Sequence, residues 1–155
     1  MRRIVFVFFL VCFPLYFLPS ADAGQDIENV DYRRLISEVA DYNGEVVVVN
    51  FWATWCPPCR LEISGLIELR EEYDRQEVLI VGVAMDQKKS VIEDFLEQNK
   101  VNYPVYWGDG SVQQFFQVSG LPKMVVYNHE KVNVFSHVGF MEKEKMTKVI
   151  NNYLK

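Results

Sequence analysis

The apolar and polar residues in the first half of the chain follow periods that predict a helix and then a buried strand. Apolar residues recur at helical spacing over residues 31–42, and Asn43-Gly44 provides a stop. Residues 46–51 then form an uninterrupted β-branched and aromatic run. Such a run is typical of a strand covered on both faces of a parallel sheet, so we expect this strand to be central.

A second helix is predicted to begin just after Cys56. Pro57 and Pro58 fit only the first turn of a helix, where a backbone N–H would have no helical partner. Apolar residues continue the helical pattern at Leu61, Leu66, Ile67, Leu69 and Tyr73. Cys56 and Cys59 are therefore expected at a helix N-terminus.

The rest of the chain continues this alternation of helices and strands. The pattern predicts a strand over 78–84, a helix over 91–96, a strand over 103–107, a short helix capped by Ser111 and running to 117, a hairpin of 124–127 with 132–135, and a helix over 141–154. The resulting order is α-β-α-β-α-β-α-β-β-α. It predicts an α/β fold, a three-layer α/β/α sandwich.

The N-terminal segment has the pattern of an export signal. Arg2 and Arg3 precede an apolar stretch over residues 4–18, and Ala21-Asp22-Ala23 fits a cleavage site. This predicts a signal peptide over 1–23 and one domain over 24–155, exported to the periplasm or another part of the bacterial envelope. Because the apolar stretch is shorter than the roughly twenty residues of a bilayer crossing, we expect no stable membrane insertion after cleavage. An uncleaved membrane anchor is the alternative.

The composition fits a single acidic domain. Half of the 155 residues are hydrophobic, which is enough for one core, and the formal net charge is −5. Nucleic-acid-binding surfaces are basic, so no nucleic-acid partner is expected. Cys12 lies in the leader, which leaves Cys56 and Cys59 as the thiols of the exported domain. In an oxidising compartment two cysteines this close can form a disulfide.

The position of the two cysteines predicts redox chemistry. A thiolate at a helix N-terminus faces the positive end of the helix dipole and unpaired N–H groups, so the pKa of Cys56 should fall below the free value of about 8.5. Cys59 lies one turn further, within reach of the Cys56 sulfur but covered by the helix. We therefore expect Cys56 to attack a substrate disulfide and Cys59 to resolve the mixed disulfide.

A Cys-x-x-Cys pair can also bind zinc, attach haem or form an inert structural disulfide. A zinc site needs two more ligands, and His129 and His137 do not have the usual spacing. Haem attachment would require a histidine where Arg60 stands. An inert structural disulfide remains an alternative, although so short a loop gives little stabilisation. We predict no metal and no cofactor other than the Cys56–Cys59 disulfide itself.

Two segments carry a family resemblance. Asn50-Phe51-Trp52-Ala53-Thr54-Trp55-Cys56-Pro57-Pro58-Cys59-Arg60, with Glu62, resembles the active-site segment of the TlpA/ResA-like thioredoxins, which are exported thiol-disulfide oxidoreductases. Val118-Ser119-Gly120-Leu121-Pro122 resembles the cis-proline loop of that family. The resemblance implies a thioredoxin fold with a mixed sheet, in which residues 86–117 hold a central strand-helix insertion.

The resemblance also implies roles for residues around the cysteines. Pro122 would be cis and lie beside them, with the Leu121 backbone free to pair with a substrate segment. Thioredoxins usually have threonine after this proline, whereas this chain has Lys123, whose ammonium would stabilise a Cys56 thiolate if it turned inward. Trp55 would shield the disulfide.

The base that deprotonates Cys59 is less directly indicated. Asn50 stands where minimal thioredoxins bury an aspartate, and an amide cannot act as that base. By resemblance, Asp86 just after the next strand is a candidate proton relay, and a solvated loop carboxylate or helix cap is its alternative reading. Glu62 is a second candidate, expected on the helix surface or in a pair.

The direction of electron flow is inferred from the residues between the cysteines. Pro57 and Pro58 supply neither charge nor N–H to stabilise a thiolate further, and the resemblance therefore implies a reductase. Its clients would be disulfide-containing exported proteins, such as apocytochromes c or copper-site proteins, and a membrane thiol carrier would donate electrons. The alternatives are a disulfide oxidase or isomerase, and a module that binds a client or metal without turnover. The sequence pattern of a peroxiredoxin is absent.

Overall fold

The computed structural model describes residues 27–155. The signal peptide predicted over 1–23, with Cys12, lies outside the described residues. No helix within residues 27–155 has the length and hydropathy needed to cross a membrane. The elements are β1 (Asn29–Val30), α1 (Tyr32–Asp41), β2 (Val46–Trp52), α2 (Pro57–Glu72), β3 (Val78–Ala84), α3 (Lys89–Asn99), β4 (Val105–Gly108), α4 (Gly110–Phe115), β5 (Lys123–Tyr127), β6 (Asn133–Val138) and α5 (Lys143–Asn151).

The strands of this part of the chain form one mixed, six-stranded sheet in the order β1-β4-β3-β2-β5-β6. Strand β2 pairs in parallel with β3 and antiparallel with β5, and all seven of its residues are buried. The prediction of a central, doubly covered strand is therefore confirmed.

Two apolar cores lie on the two faces of the sheet. Helices α2, α3 and α5 cover one face through Leu66, Ile92 and Ile150, and helices α1 and α4 cover the other through Leu35 and Val112. The predicted three-layer α/β/α sandwich is confirmed. Along the chain, helix α3, strand β4 and helix α4 follow β3 and precede β5, where the central insertion was expected.

Several predicted boundaries were wrong in detail. Strand β1 has only two residues and was not predicted. Helix α4 is capped by Asp109 rather than Ser111, because the Asp109 side chain accepts hydrogen bonds from the amides of Ser111 and Val112. Helix α4 also ends before Gln117, whose backbone has a left-handed φ of 50°.

Candidate active site

The redox pair lies where β2 passes into α2. Cys56 is the N-cap of α2, in an extended conformation, and Pro57 and Pro58 occupy the first two helical positions. The Cys56 sulfur accepts a hydrogen bond from the Cys59 amide at 3.3 Å. The two cysteines form a disulfide with an S–S distance of 2.08 Å. The predicted placement of both cysteines at a helix N-terminus is confirmed.

The two sulfur-bearing residues differ in access. Cys59 is fully buried by the helix and the sheet, whereas Cys56 keeps 4% of its surface exposed and lines a surface cavity of about 430 Å³. A nucleophile in solution can reach only the sulfur that borders this cavity. The geometry therefore favours Cys56 as the sulfur that meets a substrate.

The cavity has two main walls. One is made by the active-site turn with Trp55, Pro57 and Pro58, and the other by residues 118–121. Met85 and Gln113 also border the cavity, and no sequence signal pointed to either of them. Trp55 is 68% exposed, so its indole is available to a partner rather than part of the core.

The second wall is the loop that ends in a proline. The Leu121–Pro122 peptide bond is cis, as the resemblance implied. No backbone hydrogen bond to any other residue of 27–155 involves the amide or carbonyl groups of Gly120 or Leu121. These groups lie beside Cys56, where an extended polypeptide could pair with them.

Asp86 holds the turn that leads to Cys56. Its carboxylate accepts hydrogen bonds from the Thr54 amide at 3.0 and 3.2 Å and from the Thr54 hydroxyl at 2.6 Å. Its backbone carbonyl accepts a hydrogen bond from the Trp107 indole at 2.7 Å. With both oxygens engaged by Thr54, this buried carboxylate is placed as a support for the turn. Its predicted role as a proton relay remains a hypothesis.

Glu62 is buried and paired, so of the two expected positions the helix surface was wrong and the paired position is the one observed. Its carboxylate accepts hydrogen bonds from the Asn50 side-chain amide at 2.6 Å and from the Met141 backbone amide at 2.8 Å. Burial raises the pKa of Glu62 to about 7, although both hydrogen bonds act to lower it. A sequence signal did exist, because Glu62 shares a helical stripe with the buried residues Cys59 and Leu66.

The region around Glu62 holds further buried polar atoms. Asn50 Oδ1, Trp52 Nε1 and the Tyr103 hydroxyl have no hydrogen-bond partner within residues 27–155. Burial and the nearby charge of Glu62 both raise the pKa of Tyr103. Gly82 faces this cluster, because a Cβ at this position would lie 3.1 Å from both Trp52 Nε1 and the Tyr103 ring.

Lys123 lies on the other face of the sheet. Its ammonium donates hydrogen bonds to the backbone carbonyls of Phe116 at 2.6 Å and Gln117 at 3.0 Å, at the end of α4. Burial lowers the pKa of this lysine. The ammonium therefore does not turn toward the α2 side, and the condition under which it would stabilise a Cys56 thiolate is not met.

Across residues 27–155, no three histidine, cysteine, aspartate or glutamate side chains converge in a way that could hold a metal ion.

Comparison with known proteins identifies the family and the fold. The model of the AhpC/TSA family matches residues 22–135. A solved thiol:disulfide interchange protein of the thioredoxin family from Chlorobium tepidum superposes with a TM-score of 0.69 at 24% identity, covering 75% of this chain and 84% of that one. This likeness shows the thioredoxin fold.

The curated relatives of this chain include several proteins named thiol-disulfide oxidoreductase ResA. The protein from Oceanobacillus iheyensis is 31% identical over 105 residues, which are 67% of this chain and 54% of that protein. The protein from Bacillus subtilis is 32% identical over 105 residues, which are 67% of this chain and 58% of that protein. The matched region thus spans a little over half the length of each relative.

Proposed function

The chain belongs to the AhpC/TSA family, and on that premise we propose that it is an exported thiol-disulfide oxidoreductase that reduces disulfides of other exported proteins. The name of the two ResA relatives supports this activity. The observation that contributes most is the asymmetry of the cysteine pair. One sulfur borders an open cavity beside unpaired backbone groups, and the other is sealed beneath the helix.

The proposed cycle balances two electrons. The reduced Cys56 thiolate attacks a client disulfide, forming a mixed disulfide and releasing one client thiolate. The Cys59 thiolate then attacks the Cys56 sulfur, which forms the Cys56–Cys59 disulfide and releases the second client thiolate. The cysteine pair is oxidised, the client is reduced, and the client thiolates take up protons from solvent.

The resolving step needs a base, because Cys59 must lose its proton inside the protein. Glu62 is the better placed of the two candidates, since it lies on the same helical face as Cys59, three residues on, and is buried with it. A carboxyl group with a pKa of about 7 can accept a proton near neutral pH. Asn50 and Met141 hold the carboxylate in place.

The proposal extends to location and partners through the sequence. The leader pattern over 1–23 supports export to the bacterial envelope, with membrane anchoring if it is not cleaved. Clients would be exported proteins with oxidised cysteines, such as apocytochromes c or copper-site proteins. A membrane thiol carrier would return electrons to the Cys56–Cys59 disulfide.

The test uses cysteine variants and a redox titration. Reduced wild-type protein should reduce a peptide disulfide stoichiometrically, Cys56→Ser should be inactive, and Cys59→Ser should accumulate a mixed disulfide visible by mass spectrometry. Equilibration in thiol buffers should give a reduction potential near the thioredoxin value of about −270 mV. A potential near about −120 mV would make the protein a disulfide donor instead. If Cys56→Ser left the protein's cellular activity intact, the protein would be a binding module without turnover.

A further inference from the structure

We infer that Lys123 is a positioning residue that fixes the client-binding loop of residues 116–122 for an extended polypeptide client. The inference rests on the proposed oxidoreductase function. Lys123 makes no contact with the cysteines in this role. Its loss should weaken the reduction of polypeptide disulfides and leave that of small-molecule disulfides unchanged.

The contacts of Lys123 close the loop on itself. The residue directly follows Pro122, and its ammonium reaches back to the carbonyls of Phe116 and Gln117 at 2.6 and 3.0 Å. One side chain therefore ties the start of the loop to its end. The rest of the loop lies between these points and includes the residues that border the Cys56 cavity.

The carbonyls that Lys123 binds are those a helix end leaves open. Phe116 is the C-cap of α4, and Gln117 follows it with a left-handed φ of 50°. Carbonyl groups at a helix C-terminus lack helical partners and attract cations. The ammonium satisfies both. Together with the backbone hydrogen bond from the Val118 amide to the Gln113 carbonyl at 2.9 Å, it holds the direction in which the chain leaves α4.

Lys123 is buried, and burying a charged ammonium costs free energy. Only 8% of the residue is exposed, and burial is the cause that lowers its pKa. No carboxylate within residues 27–155 contributes to the shift. A buried ammonium without a counter-ion must be compensated by hydrogen bonds, and the two carbonyls provide them. The adjacent core is apolar, and Phe51 is the residue paired with Lys123 on β2, so the ammonium has no charged neighbour there.

A fixed loop matters to some substrates and not to others. A polypeptide that pairs with the free backbone groups of Gly120 and Leu121 would have to order the loop on binding if the loop were loose. A small disulfide needs to reach only Cys56. Loss of the Lys123 contact should therefore weaken polypeptide binding selectively.

The experiment compares two substrates under single-turnover conditions. The variant is Lys123→Met, which keeps the side-chain length and removes the hydrogen-bond donors. The reduced full-length variant is mixed either with a disulfide-containing peptide of about ten residues or with hydroxyethyl disulfide. We expect the half-saturating peptide concentration to rise about tenfold, which corresponds to a loss of about 1.4 kcal/mol of binding free energy. The maximal rate should stay within about twofold of the wild-type rate. The hydroxyethyl disulfide rate and the reduction potential should not change.

Two further variants complete the design. Lys123→Gln retains an N–H donor and should fall between wild type and Lys123→Met; it replaces the methionine variant if that protein does not fold. Lys131→Met is the matched control. Lys131 lies in the turn between β5 and β6, and its ammonium also donates to a backbone carbonyl, that of Gly44 at 3.4 Å. It should leave both substrates unaffected.

The outcomes separate this inference from the proposed function. A wild-type protein that reduces neither disulfide removes the proposed function and the inference with it. A wild-type protein that reduces both, with an unchanged peptide response in Lys123→Met, overturns the inference alone. An equal loss with both disulfides also overturns it, because Lys123 would then act on the cysteine pair rather than on the loop.

Discussion

The Asn50 side-chain amide donates a 2.6 Å hydrogen bond to the Glu62 carboxylate and thereby joins the central strand to the helix that holds both cysteines. The two residues are buried, at 0% and 1% exposure. A carboxyl group in this place is held mainly by burial near a pKa of about 7, well above its ordinary value of 4.5. Its ionisation must therefore affect stability and, under the proposed mechanism, the resolving step as well.

The first prediction concerns stability against pH for Glu62→Gln. Because the pKa is raised on folding, the folded protein holds this proton more tightly than the unfolded chain does. The contribution is fully present below about pH 4.5 and is lost as pH rises through about 7. Urea unfolding between pH 4 and 8 should show that, as the pH rises, the free energy of unfolding of the wild type falls by up to roughly 3 kcal/mol more than that of the variant. Parallel curves would show that Glu62 is not buried as a neutral acid.

The second prediction separates the two carboxylates kinetically. Glu62→Gln should slow the resolving step at pH 7 by about a hundredfold, the lower end of general-base effects, and flatten its pH dependence. A persistent mixed disulfide in rapid-quench samples is the readout. Asp86→Asn serves as the control, because it should loosen the Thr54 turn without changing that pH dependence. The reverse pattern would make Asp86 the base.

The third prediction concerns the close packing at Gly82. A Cβ there would meet Trp52 Nε1, the Tyr103 ring and Val105 Cγ2 at 3.1 Å each. Gly82→Ala should therefore destabilise the protein by about 1–3 kcal/mol in chemical unfolding, as expected for overpacking. Gly110→Ala is the control, since nothing lies within 4 Å of its Cβ position and alanine favours a helix. Equal stability of both variants would contradict the packing around Gly82.

The fourth prediction follows from the unpaired Tyr103 hydroxyl. Because this buried group has no partner within residues 27–155, removing it in Tyr103→Phe should leave stability unchanged or raise it by about 1 kcal/mol. Tyr153→Phe is the comparison, because its hydroxyl donates to the Val134 carbonyl at 3.2 Å and its loss should cost about 1 kcal/mol. A clear loss of stability in Tyr103→Phe would mean that the hydroxyl is hydrogen-bonded in solution.

Local sequence patterns were enough to predict most of the architecture. The run over residues 46–51 is apolar at every position except Asn50, and two prolines after Cys56 permit only a helix start, so β2 and α2 followed from short segments. Strand β1 could not be predicted in this way. Its two residues, Asn29 and Val30, form a strand only by pairing with Trp107 and Gly108, far along the chain.

The site was predictable where chemistry alone defines it and not where packing does. Cys56 and Cys59 were found by their spacing. The burial of Glu62 was signalled only by its place on the helical stripe of Cys59 and Leu66. Lys123 has a charged side chain that usually lies in solvent, and only the assembled helices and sheet bury it. Whether Lys123 faces the cysteines or α4 depends on which face of β5 it occupies, which its own sequence neighbourhood does not determine.

The pairing of β2 with β5 has a consequence for the order of assembly. Strand β2, which leads to Cys56, pairs with β5, which lies in the last third of the chain. The sheet beneath helix α2 therefore stays incomplete until that part of the chain is present. Domains form during synthesis from the N-terminus onward. Until β5 has paired with β2, the sheet that buries Cys59 is incomplete, so the thiols of Cys56 and Cys59 are more open to oxidation, or to crosslinking with a neighbouring chain, than in the folded protein.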